Sequence, residues 1–145
     1  MILPLVSASH HCLRERARPA QGEPRGLIVD LWDTLHANRA LGLAAPQVGV
    51  SMRVAVVYAE GVSRALVNPV ILWRSKTVMK LPESCLSLPG IEVEVERPIA
   101  LMLEGEPVPF EGLLARVVQH EIDHLNGVLI SDYARAVLTN TEPQP

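Results

Sequence analysis

The stretch GLLARVVQHEIDHLNG, residues 112–127, decides the architecture. Leu113, Val117, His120 and His124 recur at spacings of four, three and four, the phase of one helical face. The pattern predicts a helix stopped by Gly127. An apolar stripe faces a core, so both histidines are expected to point inward. Arg116 and Asp123 are expected on the outer side, and Gln119 off the stripe. Two imidazoles at i and i+4 project the same way, as a divalent metal needs. Glu121 lies one step round, beside Val118 and Leu125, where it can reach a water at such a metal without being a ligand. H-E-x-x-H also arises by chance, but two inward histidines and a carboxylate are costly to bury without a metal or partners.

Working outward, the residues before this helix change period. IEVEVERP, 91–98, alternates Ile/Val with Glu, as a strand with one wet face does. IALMLEG, 99–105, is a further strand. MRVAVVYA (52–59) and ALVNPVIL (65–72) are β-branched runs joined by EGVSR, read as a hairpin connection. TVMKLPESCLSLPG, 77–90, reads as extended and ending in a Pro-Gly turn. LIVDLWDTLHAN, 27–38, sets Leu27, Leu31 and Leu35 at helical spacing, starting near Gly26. In ALGLAAPQVGV, 40–50, Pro46 argues against helix, and the small residues allow close backbone approach. The order helix, strands, helix predicts an α+β fold, with mostly antiparallel strands packed around a central C-terminal helix that carries HExxH.

The 145 residues, 48% hydrophobic, suit one domain over 1–145, with about 134–145 expected to be a flexible tail. The charge sum, 13 − 16 = −3, offers no basic surface for nucleic acid. No run of about 18 apolar residues exists for a membrane span, and the start makes a poor signal peptide. The expected compartment is the reducing cytoplasm, where the two cysteines stay available as thiols.

Two histidines do not complete a catalytic metal site, which uses three protein ligands and leaves one position open. A third histidine after the glycine would fall at Ile130, and Glu142 in the polar tail is a poor substitute. The third ligand must come from upstream: Cys85, Cys12, His10, His11 or His36. Cys85 is the best placed, in an extended segment with small polar neighbours, and a thiolate suits Fe(II), Zn(II) or Ni(II) beside two imidazoles. A buried structural thiol is the other reading of Cys85. SHH near the start reads as surface decoration. His36 ends the first helix, where the dipole favours it. Gln47, taken alone, is a turn residue after Pro46.

GLAAPQ (42–47), ESCLS (83–87) and QHEIDH (119–124) occur in the order and chemistry of the peptide deformylase family, and the resemblance covers nearly the whole chain. It implies a metal-dependent hydrolase that removes the formyl group from N-formylmethionyl peptides, releasing formate. Cys85, His120 and His124 would hold one divalent metal: Fe(II) first, with Zn, Ni or Co as alternatives. Glu121 would be the general base and acid. The Gln47 side chain and the Leu86 backbone N–H would stabilise the oxyanion. Leu41, Gly42 and Val117 would contact the substrate or line its methionine pocket, and Glu83 would pair with Arg97 structurally. The implied partners are N-formylmethionyl nascent chains near the ribosome, met by a cytoplasmic monomer. Three departures stand out. Ala40 replaces a usual glycine, Arg39 stands where an acidic residue is common, and Ser84 replaces a frequent glycine. Ala40, together with short segments between the first two motifs and between Arg97 and the HExxH helix, leaves two other readings, an N-acyl amidase with altered preference and a weakly active metal-binding homologue.

Overall fold

The computed structural model describes residues 1–134. Among the described residues, helices α1 (Arg25–Ala37) and α2 (Gly112–Leu125) and eight strands follow one another in the expected order, and the chain is helical again over 130–134. The strands are β1 (Gly42–Ala44), β2 (Val54–Ala59), β3 (Val62–Val67), β4 (Ile71–Arg74), β5 (Val78–Cys85), β6 (Leu88–Pro98), β7 (Ala100–Leu103) and β8 (Phe110–Glu111). They form three antiparallel sheets, β1-β2-β3, β4-β7-β8 and β5-β6, which together surround α2. The α+β class and the central helix agree with the sequence reading; of the expected tail, Ala134 is described and is helical, and the rest falls on residues outside those described.

β2 is the inner layer. Val54 and Val56 pack with Leu31 and Leu35 of α1, while Ala55, Val57 and Ala59 face Leu114, Val118 and Leu125 of α2. The period of two thus serves two cores from one strand. A third cluster, Leu13, Cys85, Leu88, Val95, Leu129 and Ile130, ties β5-β6 to the chain after α2. Among the described residues no helix is long and apolar enough to cross a membrane.

Four expectations need correction. The β2–β3 hairpin turns at Glu60 and Gly61 alone, both at positive φ (53° and 76°), the geometry of a tight two-residue turn. The run 65–72 is two strands, because Asn68 adopts φ 49° and its side chain clips to the backbone of Ala20 through bonds of 2.8 and 2.9 Å. Pro89-Gly90 is not a turn. The β5–β6 hairpin turns at Leu86–Ser87, and Pro89 and Gly90 sit in a bulge where the register slips. Pro46 lies inside a one-turn 3-10 helix, Ala45–Val48, whose first turn needs no N–H from it.

α2 is buried on nearly every side, including Arg116, Gln119 and Glu121. Its end is fixed by backbone bonds from Val128 to Asp123 (2.9 Å) and Gly127 to His124 (3.3 Å), with Gly127 at φ 75°. That is a Schellman ending with glycine at the left-handed position. Arg53 adds a side-chain donor to the Leu125 carbonyl at 2.8 Å.

Candidate metal centre and cleft

Three short-range features place the donors. Cys85 ends β5, immediately before the hairpin turn, and His120 and His124 stand one turn apart on α2. Cys85 Sγ lies 3.4 Å from His124 Nε2. The two imidazole centroids are 5.0 Å apart. One donor atom from each of the three residues lies within 4.8 Å of the others. An ion about 2.0–2.3 Å from tetrahedral donors needs them about 3.3–3.8 Å apart, a spacing the Cys85–His124 pair has. His120 Nδ1 is 2.9 Å from Glu83 Oε1, which leaves Nε2 for a metal and fixes the ring. Among the described residues, two buried side-chain polar atoms lack a partner, Glu121 Oε1 and His124 Nδ1. Glu121 Oε1 lies beside this cluster, where an unspent acceptor points to a missing partner, whereas His124 Nδ1 is on the edge of its ring away from Nε2, the atom that meets Cys85. One sulfur and two nitrogens of this geometry fit a divalent transition metal.

Glu121 is 3% exposed, and burial pushes its carboxyl up to about 7, against the pull of His120 and Arg97. A carboxyl poised there can both take and return a proton near neutral pH. Burial alone would lower His120, but the hydrogen bonds its ring donates to Cys85 and Glu83 carry it up to about 10. Burial holds His124 well below the usual imidazole range. Glu83 is opposed by burial, yet Arg97 and His120 pull it down to about 2.

The Glu83–Arg97 pair expected from the sequence is present, at 2.6 and 2.9 Å, a bidentate contact. Arg97 also reaches Asp123 at 2.9 Å. Arg116 corrects the sequence reading. It is buried rather than outward, and donates to Glu83 Oε2 (2.6 Å), the Val95 carbonyl (2.9 Å) and the Met79 carbonyl (2.6 Å). Gln119 is buried as well, donating to the Pro98 carbonyl at 2.9 Å. Two guanidinium groups therefore brace the carboxylate that orients His120. The visible signal was an arginine inside an aliphatic helix run.

Gln47 is 2% exposed. Its Oε1 accepts the Ala44 N–H at 2.9 Å, so its amide N–H groups aim at Ser87 Oγ (3.1 Å) and Cys85 Sγ (3.7 Å). Gln47 thus secures a turn through its carbonyl end, while its amide N–H groups point toward Ser87 and Cys85. A cleft of about 560 Å³ opens beside these groups. Leu41, Gly42, Gln47, Cys85, Leu86, Val117, His120 and Glu121 all line it. His124 lies beneath, 1% exposed. Gly42 has a spatial reason to be glycine: a Cβ there would come within 2.4 Å of Glu121 Oε2.

Of the other upstream candidates, His10, His11 and Cys12 also come within 4.8 Å of one another, His10 capping the 3-10 turn His11–Arg14 that holds the other two. There His10 Nδ1 accepts the Cys12 N–H, and His11 Nδ1 sits 2.6 Å from Glu15. His36 stacks on Trp32.

A family model described as polypeptide deformylase matches residues 2–139. The peptide deformylase of Thermomicrobium roseum is 48% identical over 133 residues, covering 81% of this chain and 75% of the relative. That of Chlorobium limicola is 40% identical over 149 residues, covering 91% and 80%. Among solved structures, the peptide deformylase of Thermotoga maritima superposes with a TM-score of 0.84 at 38% identity, covering 91% of this chain and 97% of that one. A class I type b peptide deformylase from Acinetobacter baumannii with Met-Ala-Ser bound gives 0.82 at 32% identity, covering 91% and 98%.

Proposed function

The chain belongs to the polypeptide deformylase family, enzymes that remove the N-formyl group from nascent peptides, and on that premise we propose that Cys85, His120, His124 and Glu121 form its reaction centre. The observation that carries this reading is the meeting of Cys85 Sγ with the two imidazoles beneath a cleft where the lack of a side chain at Gly42 leaves room for the Glu121 carboxylate. The family is metal-dependent. For this chain the reading is one Fe(II) held by Cys85, His120 and His124, with Zn, Ni or Co accepted by the same donors. Such an ion supplies positive charge at the formyl oxygen and makes a nearby water acidic enough to react at neutral pH.

The protein groups do the rest. Glu121 takes the water proton as the oxygen adds to the formyl carbon, then returns it to the departing nitrogen as the C–N bond breaks. Formate and a free amino terminus result. The Gln47 amide and the Leu86 N–H meet the negative charge on the tetrahedral oxygen, each fixed before the reaction begins. Gln47 is suited to this because its carbonyl end is already tied to Ala44.

The peptide runs along β1. Tyr58 donates to the Leu41 carbonyl at 2.6 Å, so Leu41 turns toward β2. By the alternation of a strand, Gly42 turns its N–H and C=O to the other side, the free edge of the sheet that lines the cleft. The formyl end lies at Gly42 and Gln47, and later residues pass Leu41. Val117, with Leu41, offers apolar surface to the methionine side chain. The Acinetobacter relative carries a Met-Ala-Ser tripeptide, a ligand of the length this arrangement takes. The chain is read as one catalytic domain over 1–145, working as a cytoplasmic monomer on chains emerging near the ribosome, without nucleic-acid contact of its own. The test is formate release from formyl-Met-Ala-Ser: the wild type turns over, and Glu121→Gln keeps its metal but loses turnover by at least a hundredfold. Turnover surviving in Glu121→Gln would remove Glu121 from its role.

A further inference from the structure

Of the charged side chains lining the cleft, Glu83, Arg116 and His120 are bonded to one another, and Glu121 is buried against Gly42. Arg39 differs. It is exposed at the cleft wall and makes no ion pair with a described carboxylate. Its backbone is also unusual. Ala40 N–H bonds the Leu35 carbonyl at 3.0 Å and Arg39 N–H bonds the His36 carbonyl at 3.2 Å, so α1 ends in the same Schellman arrangement as α2. At α2 the left-handed position is filled by Gly127; at α1 it is filled by Arg39, at φ 51°. A side chain there works against the local backbone preference, and such outliers gather where a side chain is needed.

We propose that Arg39 is a specificity-determining residue that binds a carboxylate on the peptide substrate, two or three residues along the chain. The inference rests on the cleft being the deformylase site, with the peptide antiparallel to β1. Arg39 is three residues upstream of Gly42, so it lies at most about 10 Å along the backbone from the reacting end. That reach corresponds to the second or third peptide residue. An acidic side chain there, or the terminal carboxylate of a tripeptide, would meet the guanidinium at an exposed site, where charge pairs change affinity about two- to fivefold.

The test compares kcat/KM for formyl-Met-Ala-Glu-amide and formyl-Met-Ala-Gln-amide, and for the same pair with Glu or Gln at the second residue, at low salt. The free-acid form of formyl-Met-Ala-Gln separates a terminal carboxylate from a side chain. The wild type should prefer at least one carboxylate-bearing peptide by about two- to fivefold, mainly through KM. The preference should vanish in Arg39→Gly, reverse in Arg39→Glu, and fade in 0.5 M salt, about one Debye length of 4 Å. Arg39→Gly should fold at least as stably as the wild type, which a thermal melt checks. An equal preference in Arg39→Gly and wild type, or none in the wild type, overturns the inference while leaving the deformylase site standing. No formate from any of these peptides overturns the site reading and this inference with it.

Discussion

Gly42→Ala adds one methyl group where the backbone of β1 meets the Glu121 carboxylate. That carbon would lie 2.4 Å from Oε2, 2.8 Å from Cδ and 2.9 Å from Cγ of Glu121. Ordinary contact begins near 3.4 Å, so the carboxylate must retreat by about 1 Å. It has little room, being 3% exposed and enclosed by the helix and β1. A misplacement of this size at a catalytic group costs about a hundredfold in rate, or about 2.7 kcal/mol of barrier. Because none of the three donors is among the atoms this methyl would meet, metal content should stay near wild type. The assay is steady-state formate release, with metal content and a thermal melt measured on the same preparation. The loss should fall on kcat, since a displaced base slows chemistry. A rise confined to KM would mean that the methyl blocks the peptide instead. Activity within about threefold of wild type would refute the idea that Gly42 sets the position of Glu121.

Gly127→Ala should destabilise the fold by about 2–4 kcal/mol in urea titration, because the position is left-handed (φ 75°) and the new carbon would meet the Arg14 carbonyl at 2.7 Å, a backbone atom that cannot swing aside. A loss below about 0.5 kcal/mol would contradict that close approach. For Glu83 the folded value of about 2 lies below the ordinary 4.5, so its ionised form stabilises the fold fully above about pH 4.5, and this contribution is lost as pH falls toward 2. Metal-free wild type should therefore lose more stability between pH 4.5 and 2 than metal-free Glu83→Gln, and equal slopes would exclude Glu83 as the acid-sensitive group.

The parts legible in the sequence were those written in local spacing. The i, i+4 histidines and the stop at Gly127 placed α2 and two donors, and alternation in 91–98 placed β6. Cys85 could be favoured over four other upstream donors for its extended segment with small polar neighbours and a thiolate's fit beside two imidazoles, although its meeting with α2 is a tertiary fact. Arg116 and Gln119 could not be read from a helical wheel. A wheel separates apolar from polar faces, but three sheets enclose α2, and the partner that makes Arg116 tolerable inside, Glu83, lies 33 residues upstream. The strand break at Asn68 was equally hidden, because its cause is a pair of bonds to Ala20, 48 residues away. Pro89-Gly90 misled for a local reason: the pair that usually marks a turn here forms a bulge after a turn already made by Leu86–Ser87.

The most direct measurement is metal content of anaerobically prepared wild type and Cys85→Ala, each assayed in parallel for formate release, since oxygen can attack both iron and thiolate. One divalent metal per wild-type chain, with metal and turnover both lost in a folded Cys85→Ala, is the expected result. A Cys85→Ala protein that keeps its metal at wild-type affinity and still releases formate would contradict a centre built from Cys85, His120 and His124.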